Sequence, residues 1–424
     1  MKNQLNRRQA LKASVALAAP LILPAHVLGR GAVPPSEKIN VGIIGCGKMA
    51  NDYHISSLLK ADDCRVVAVA EVDKTRRERA QKRVNDEYKD NSCAAYSDFR
   101  EITKRDDIDA VCIATPDHWH TIPIIEACKS GKDVYCETPL TLTLAESKAC
   151  IDVVRKYNRV FQTGSQQRSN VFGKFREAVE IIQSGRLGKI HRVTVGVGNP
   201  SVPCDLPEED MEPGLDWDMW LGQAPLRKYN SILSPRGVHN HFPQWRKYRE
   251  YSGGGHTDMG AHHYDIAQWA LGMDKSGPVK IVPPADRNAT RGVKYVYANG
   301  VEMEHGGPGG CTFYGENGTL RIDRGHLKSD PAEIVEEPLG KDDVHLFKSP
   351  GHHRNWLDCI RSRELTVADV EYGARTVAVV HLGNLAYAQD RTLTWDPETW
   401  RFGDESDNKL LDRERRDPRQ LPAI

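Results

Sequence analysis

Lys38-Ile39-Asn40-Val41-Gly42-Ile43-Ile44 is an apolar run that breaks at once into Gly45-Cys46-Gly47-Lys48-Met49-Ala50. A strand feeding straight into glycines predicts the phosphate-cradling turn of a dinucleotide-binding βαβ unit. Gly45 allows the tight turn, Gly47 lets the backbone approach a pyrophosphate, and small Ala50 lets the next helix pack close with its N-terminus facing the anion. A second apolar run, Cys64 to Ala70, ends in Glu71, a carboxylate at about the distance expected for a ribose hydroxyl. The competing reading is a glycine turn in some other α/β protein, and the second strand with its terminal acid counts against it.

Working outward, strand and helix signals keep alternating. Ala110 to Ala114 is apolar and ends in Thr115-Pro116-Asp117-His118-Trp119-His120, and Ile122 to Cys128 has helical spacing. Asp133 to Cys136 stops at Glu137-Thr138-Pro139, and a helix is expected from about Leu144 to Lys156. This predicts a doubly wound parallel sheet, a Rossmann domain over 38–162, with ligand contacts at the carboxyl ends of its strands. After Phe161-Gln162-Thr163 the pattern changes. Ile190 to Val195 and Val293 to Tyr297 alternate polar and apolar residues, predicting a C-terminal α/β domain over 163–402 with an open, largely antiparallel sheet. Residues 403–424 read as a charged, loosely held tail.

At the amino end, Arg7-Arg8 precede an apolar stretch from Ala13 to Ala25, and residues 1–31 hold five cations and no acid. This reads as a twin-arginine signal segment, implying export and a periplasmic or membrane-tethered protein. The whole chain balances 58 Lys and Arg against 58 Asp and Glu, which argues against a nucleic-acid partner. Its ten cysteines show no Cys-x-x-Cys spacing, so they read as buried small hydrophobes rather than a disulfide framework or zinc site.

A second dense cluster runs from Ser252-Gly253-Gly254-Gly255-His256-Thr257-Asp258 through His262-His263-Tyr264-Asp265 to Gly272. Helical spacing places Asp258 and His262 on one face, and His262 and Asp265 likewise. A carboxylate that orients an imidazole is a common way to build a general acid/base near neutral pH. Two alternatives stand beside this: a helix start capped by Thr257 with satisfied histidines, and a metal set drawn from His256, Asp258 and His262 or His263. No metal is expected.

The glycine turn, Thr115 to His120, Cys136-Glu137-Thr138-Pro139, Gln162-Thr163-Gly164-Ser165-Gln166-Gln167-Arg168 and the Asp258 to Trp269 helix together resemble the Gfo/Idh/MocA oxidoreductase family. Trp245-Arg246-x-x-x-Glu250-Tyr251 is similar to its exported branch. The resemblance implies a tightly held nicotinamide nucleotide, NAD rather than NADP given Glu71, and a homodimer or homotetramer. It implies hydride transfer to or from a sugar, glycoside or polyol, with Asp258 and His262 as acid/base pair. Implied cofactor contacts are Gly45, Gly47, Lys48, Met49, Glu71, Thr115, Pro116, Trp119, His120 and Glu137. A substrate cleft is expected from Gln166, Arg168, Trp245, Arg246, Tyr251 and His263. Thr138 stands where the family carries a catalytic lysine, and it offers a neutral hydroxyl in place of an ammonium. That departure opens two rivals: a redox-neutral glycosidase or epimerase with retained NAD, and a non-catalytic carbohydrate-binding relative.

Overall fold

A computed structural model describes residues 37–424, and the signal segment expected at 1–31 lies outside the described residues. Six strands form a parallel sheet in the order β3-β2-β1-β4-β5-β6. They are β1 (Ile39–Ile44), β2 (Cys64–Ala70), β3 (Ala94–Tyr96), β4 (Ala110–Ile113), β5 (Asp133–Cys136) and β6 (Phe161–Thr163). The near-continuous apolar runs of β1, β2 and β4 follow from burial on both faces of a sheet covered by helices. Those helices are α1 (Lys74–Tyr88), α2 (Thr121–Lys129) and α3 (Leu144–Lys156). Asp73 caps α1 by accepting from Arg76 N, and Thr143 caps α3 by accepting from Glu146 N. The segment after the glycine turn departs from an ordinary helix, because Ala50–Ile55 forms a π-helix.

Strand order reverses between β1 and β4, the place where an open α/β sheet leaves a crevice for ligand. Register pairs Ile44 with Ile113, Ile113 with Cys136 and Cys136 with Thr163. The segments starting at Gly45, Ala114, Glu137 and Gly164 therefore leave the sheet along one edge. Gly45 has φ +87°, and a Cβ there would lie 2.8 Å from the backbone of Ala114 and Thr115, so only glycine fits.

Further along, α4 (Phe175–Gln183) leads into β7 (Ile190–Gly196), and α5 (Gly260–Ala270) into β8 (Lys280–Val282) and β9 (Lys294–Val296). The strand β10 (Glu302–Gly315), then β11 (Gly318–Ile322) and β12 (Leu327–Asp330), extend an eight-stranded sheet. The helices α6 (His352–Ser362) and α7 (Val370–Gln389) precede its last strands, β13 (Leu393–Asp396) and β14 (Arg401–Phe402). All of its pairings are antiparallel. Helix α7 packs against α3, α5 and β6, with Gly373 facing Thr163 so closely that a Cβ would meet its Oγ1 at 2.3 Å.

The C-terminal segment differs from the loose tail expected of it. Arg415 reaches the buried Glu146 carboxylate at 2.8 Å, and Arg416 and Arg419 both hold Asp218 at 2.5 Å. The charges that suggested solvation are the ones that fasten it. All ten cysteines are free, nine of them buried.

Arg168 also departs from expectation. It is 2% exposed, meets Asp265 at 2.8 and 2.9 Å and Asp274 at 2.6 Å, and lies between the Trp269 and Tyr372 rings. Buried as it is, the guanidinium ties the loop after β6 to α5 rather than facing a substrate. Arg168→Ala would strand the buried Asp265 carboxylate. It should cost about 3–5 kcal/mol of stability, read as a lowered urea midpoint, whereas an unchanged midpoint would contradict this role.

Candidate active site

Where the first turn, β2, β3 and β4 end, a cleft opens that encloses about 930 Å³ of space, part of it open to solvent. Gly45, Gly47, Lys48 and Met49 line it from the first turn, Glu71 from the end of β2 and Arg76 from α1. Thr115, Pro116 and Trp119 line it from the end of β4. Eight of the ten expected cofactor residues therefore share one surface. Its opposite wall runs from Leu233 through Ser234, Pro235, His239, Phe242 and Pro243, which the sequence reading passed over, to Trp245 and Arg246, which it named. Lys48 fastens that wall by donating to Asn240 Oδ1 at 2.8 Å. Arg76 does the same, donating to Ser234 Oγ at 3.2 Å, to Gly237 O at 3.1 Å and to Pro235 O.

The residues present fit a dinucleotide. A Cβ placed on Gly47 would meet nothing within 4 Å, so the backbone there stands open to the cleft. Glu71 accepts from Cys46 N at 2.8 Å through one oxygen and from Asp73 N at 3.0 Å through the other, leaving a lone pair on each. Of the cations that follow Glu71, Lys74 is exposed to solvent, but Arg76 is buried and already bonded.

Two expected cofactor residues lie behind the cleft. The His120 ring bridges Pro139 O at 2.8 Å and Thr115 O at 2.9 Å, pinning the end of β5 to the cleft floor. Glu137 is buried with Oε1 at 2.8 Å from Gln166 Nε2 and 3.1 Å from His54 Nε2. Burial works against its charge, yet His54 beside it first, and then the Thr138 N–H, hold the carboxyl below its ordinary range.

Thr138 and His262 do meet, with Oγ1 3.4 Å from Nε2. Burial first, then the charge of Arg324, pushes the His262 imidazole down to about 3, while Glu137 pulls the other way. Its Nδ1 is buried without a partner. Asp258 is not its companion. A short helix, Gly255–Asp258, stops before α5 begins, and His262 N bonds back to Met259 O rather than to Asp258 O. Met259 between them keeps αR dihedrals, so the helical spacing holds, yet no ion pair or hydrogen bond joins Asp258 to His262. Asp258 Oδ1 instead meets Arg246 Nε at 3.3 Å. Asp265 is likewise taken, by Arg168 and Thr376. Gly254, with φ +83°, caps this entry in place of Thr257, whose Oγ1 donates to Gly254 O.

Of the expected substrate residues, Trp245 and Arg246 line the cleft, the Arg246 guanidinium lying 4.2 Å over Trp245 and 5.0 Å over Phe242. Tyr251 is fully buried against His118 and Trp220, Gln166 is spent on Glu137, and His263 packs against Phe175. None of these three, nor Arg168, reaches the cleft surface. Asp117, missed as a chemical group, is buried beside Ser252, Arg246 and Asp258. Burial pushes its carboxyl up to about 8 and leaves Oδ2 unpartnered. The metal alternative is not assembled. His256 turns away to Asn384 and Tyr264, its ring stacked on His305 at 4.1 Å. Among the described residues no group of three or more His, Cys, Asp or Glu could hold a metal ion.

Comparison with known proteins agrees with this geometry. The GFO_IDH_MocA model, described as an oxidoreductase family with an NAD-binding Rossmann fold, matches residues 39–165, and the family's C-terminal alpha/beta domain model matches 197–421. The chain is 28% identical to the myo-inositol 2-dehydrogenase of Thermotoga maritima over 192 residues, 45% of this chain and 54% of that protein. It is 29% identical to glycosyl hydrolase family 109 protein 2 of Shewanella sp. strain ANA-3 over 174 residues, 36% of this chain and 38% of that protein. The chain thus spans about half the length of the first relative and less of the second. In fold it is similar to the WlbA dehydrogenase from Bordetella pertussis, solved with NADH and UDP-GlcNAcA, at TM-score 0.60 and 18% identity, covering 85% of this chain and 99% of that one. With both parts of the family pattern matched across the two sheets, the chain belongs to the Gfo/Idh/MocA oxidoreductases.

Proposed function

We propose that this protein moves a hydride between NAD and a hydroxyl-bearing carbon of a sugar, glycoside or polyol, with His262 as the general acid/base. The observation that carries the reading is the meeting of His262 Nε2 and Thr138 Oγ1 at 3.4 Å, on the edge that His120 ties to the cleft floor. When bound, the nicotinamide supplies the hydride acceptor or donor. Gly45 and Gly47 offer backbone to the pyrophosphate, and Glu71 offers its free lone pairs to a ribose hydroxyl. Arg246, stacked over Trp245 and Phe242, brings a cation with apolar rings behind it to the cleft, which suits the polar edges of a sugar. His262, neutral in the resting site, takes the hydroxyl proton at Nε2 during oxidation and returns it during reduction. Twin-arginine export and a homodimer or homotetramer belong to the same proposal.

A redox-neutral glycosidase or epimerase is the second reading, favoured by one observation: Thr138 sets a neutral hydroxyl, not an ammonium, beside His262. The similarity to a protein named as a family 109 glycosyl hydrolase supports it. Incubating the protein with a glycoside panel and reading cofactor absorbance and product mass together separates the two. Net reduced cofactor supports the dehydrogenase, and cleaved or epimerised product without it supports the alternative.

For cofactor choice, the Glu71 charge repels a 2′-phosphate and Arg76 is already committed to the cleft wall. Calorimetry should give tighter binding of NAD(H) than of NADP(H), and the reverse order would defeat the assignment. The two glycines separate fold from binding. Gly45→Ala should lower the melting temperature, since it collides with Ala114 and Thr115. Gly47→Ala should leave melting unchanged and weaken nucleotide binding by roughly tenfold or more. Equal effects on melting would argue against a cradle at Gly47.

His262→Ala should lower turnover by about 10²–10⁴-fold with nucleotide binding retained. Because His262 sits near 3 rather than its usual value, it stays unprotonated as pH falls from 8 to 5. The kcat/KM profile for oxidation should accordingly show no histidine limb between those values. A limb near pH 6.5 that disappears in His262→Ala would show that the imidazole titrates normally and contradict this account.

A further inference from the structure

Two guanidinium groups reach the start of α5 from distant segments. Arg246, from the cleft wall, meets Asp258 Oδ1 at 3.3 Å through Nε and gives Nη1 to Pro243 O at 3.4 Å, leaving Nη2 without a partner. Arg324 comes from the turn between β11 and β12. Its Nε donates to Gln167 Oε1 at 3.1 Å, and Gln167 donates in turn to His262 O at 3.1 Å, so two hydrogen bonds tie that turn to the helix carrying the acid/base. Both terminal nitrogens of Arg324 lack a hydrogen-bond partner among the described residues. Each cation rests on an exposed ring: Arg246 lies 5.0 Å over Phe242, which is 49% exposed, and Arg324 lies 4.7 Å over Phe172, which is 51% exposed. Phe172 has φ +76°, a left-handed backbone that a bulky side chain seldom adopts. Residues held in such conformations cluster at active sites and ligand clamps.

The carboxylates near these two cations do not match them. Asp258 is the group whose charge supports Arg324, and it is the same carboxylate that Arg246 holds. Asp117 lies beside Arg246 too, but burial pushes its carboxyl up to about 8, so near neutral pH it carries little charge. Asp323, next to Arg324 in the chain, is taken by Arg321 at 3.0 Å and by the N–H groups of Gly325 and His326. Glu137 stands behind Thr138, enclosed by Gln166 and His54. One carboxylate therefore serves two guanidiniums, and Arg324 is the one left with an open pair of N–H donors.

We propose that the substrate is a sugar acid, and that Arg324 is the specificity residue that receives its carboxylate. This rests on the reading that a sugar reacts at His262. A guanidinium presents parallel N–H donors that match the two oxygens of a planar carboxylate, and the Phe172 and Phe242 rings offer apolar faces beside it. A single positive charge in surplus fits a monoanion, not a phosphorylated sugar with its nearly doubled charge. Binding then bears on the chemistry. Arg324 disfavours the charged form of His262, so a carboxylate that neutralises Arg324 raises the proton affinity of the imidazole, and a neutral sugar does not.

The test is calorimetric binding to the nucleotide-loaded protein, using methyl glycosides of gluco, galacto and manno configuration, each as the neutral sugar, the uronate and the 6-sulfate. Cofactor absorbance and product mass are read alongside. In at least one configuration the uronate should bind about tenfold or more tighter than its neutral partner, and the gain should shrink as salt rises. Arg324→Gln should remove that gain while leaving neutral-sugar affinity within about twofold, and Arg324→Lys, which keeps the charge and loses the fork, should restore only part of it. No uronate binding, equal or better binding of every neutral sugar, a preference that survives Arg324→Gln, or tighter binding of the 6-sulfate would each overturn the proposal. If Arg324→Gln fails to fold, Arg324→Lys decides, and full uronate affinity there counts against the fork. A uronate that binds but yields neither reduced cofactor nor altered product overturns the acid/base reading and leaves the carboxylate anchor standing, so the two failures are told apart.

Discussion

A carboxylate buried at the end of a parallel strand must be surrounded by donors, because an unpaired charge in the interior costs several kcal/mol. Glu137 imposes that demand here. It draws Gln166 from the segment after β6, Tyr135 from its own strand, Thr138 N from the turn and His54 from the π-helix. His352 and His353 on α6 close the cluster from the opposite side through Thr163 O and His54. Four segments distant in sequence therefore converge on one edge of the sheet. Gly164 is the steric condition for that convergence, and Thr138 carries it forward to His262.

The parallel sheet was legible because its strands are buried on both faces. Such strands read as short continuous apolar runs, and Cys64–Ala70 and Asp133–Cys136 were found with their observed bounds. Helix Leu144–Lys156 was found as well, since Thr143 and the spacing of Leu144, Cys150, Val153 and Val154 mark it locally. The cleft side of the glycine turn was legible for the same reason, being a property of one contiguous stretch. The antiparallel strands near Ile190 and Lys294 showed their alternation. The length of β10 did not, because Gly306, Gly307, Gly309 and Gly310 interrupt any period.

What stayed hidden depends on contacts between segments far apart. Counting four residues from Asp258 to His262 finds a shared helical stretch but cannot show that Arg246, twelve positions upstream, takes the carboxylate. Arg168 looks like a substrate arginine until Asp265 and Asp274 are seen on either side of it. The Leu233 to Arg246 wall has no helix or strand period, so only Trp245 and Arg246 drew notice. His54 and His353 are 299 residues apart, and neither spacing nor composition connects them.

The replacement of lysine by Thr138 then takes on a specific electrostatic meaning. An ammonium at that place would lower the proton affinity of His262 further and would pair with Glu137. With a hydroxyl there, Glu137 has His54 Nε2 beside it at 3.1 Å, and the cation bearing on His262 is the exposed Arg324. Arg324 reaches the site indirectly, donating to Gln167 Oε1 at 3.1 Å while Gln167 donates to His262 O at 3.1 Å. His262 thus sits between an anion behind Thr138 and a cation across Gln167, and burial settles the balance toward the neutral ring. A neutral imidazole that becomes a strong acid once protonated gives its proton back readily. Relative to an ammonium at that place, the Thr138 hydroxyl leaves His262 the better proton acceptor, so it is burial and not the substitution that keeps the ring neutral.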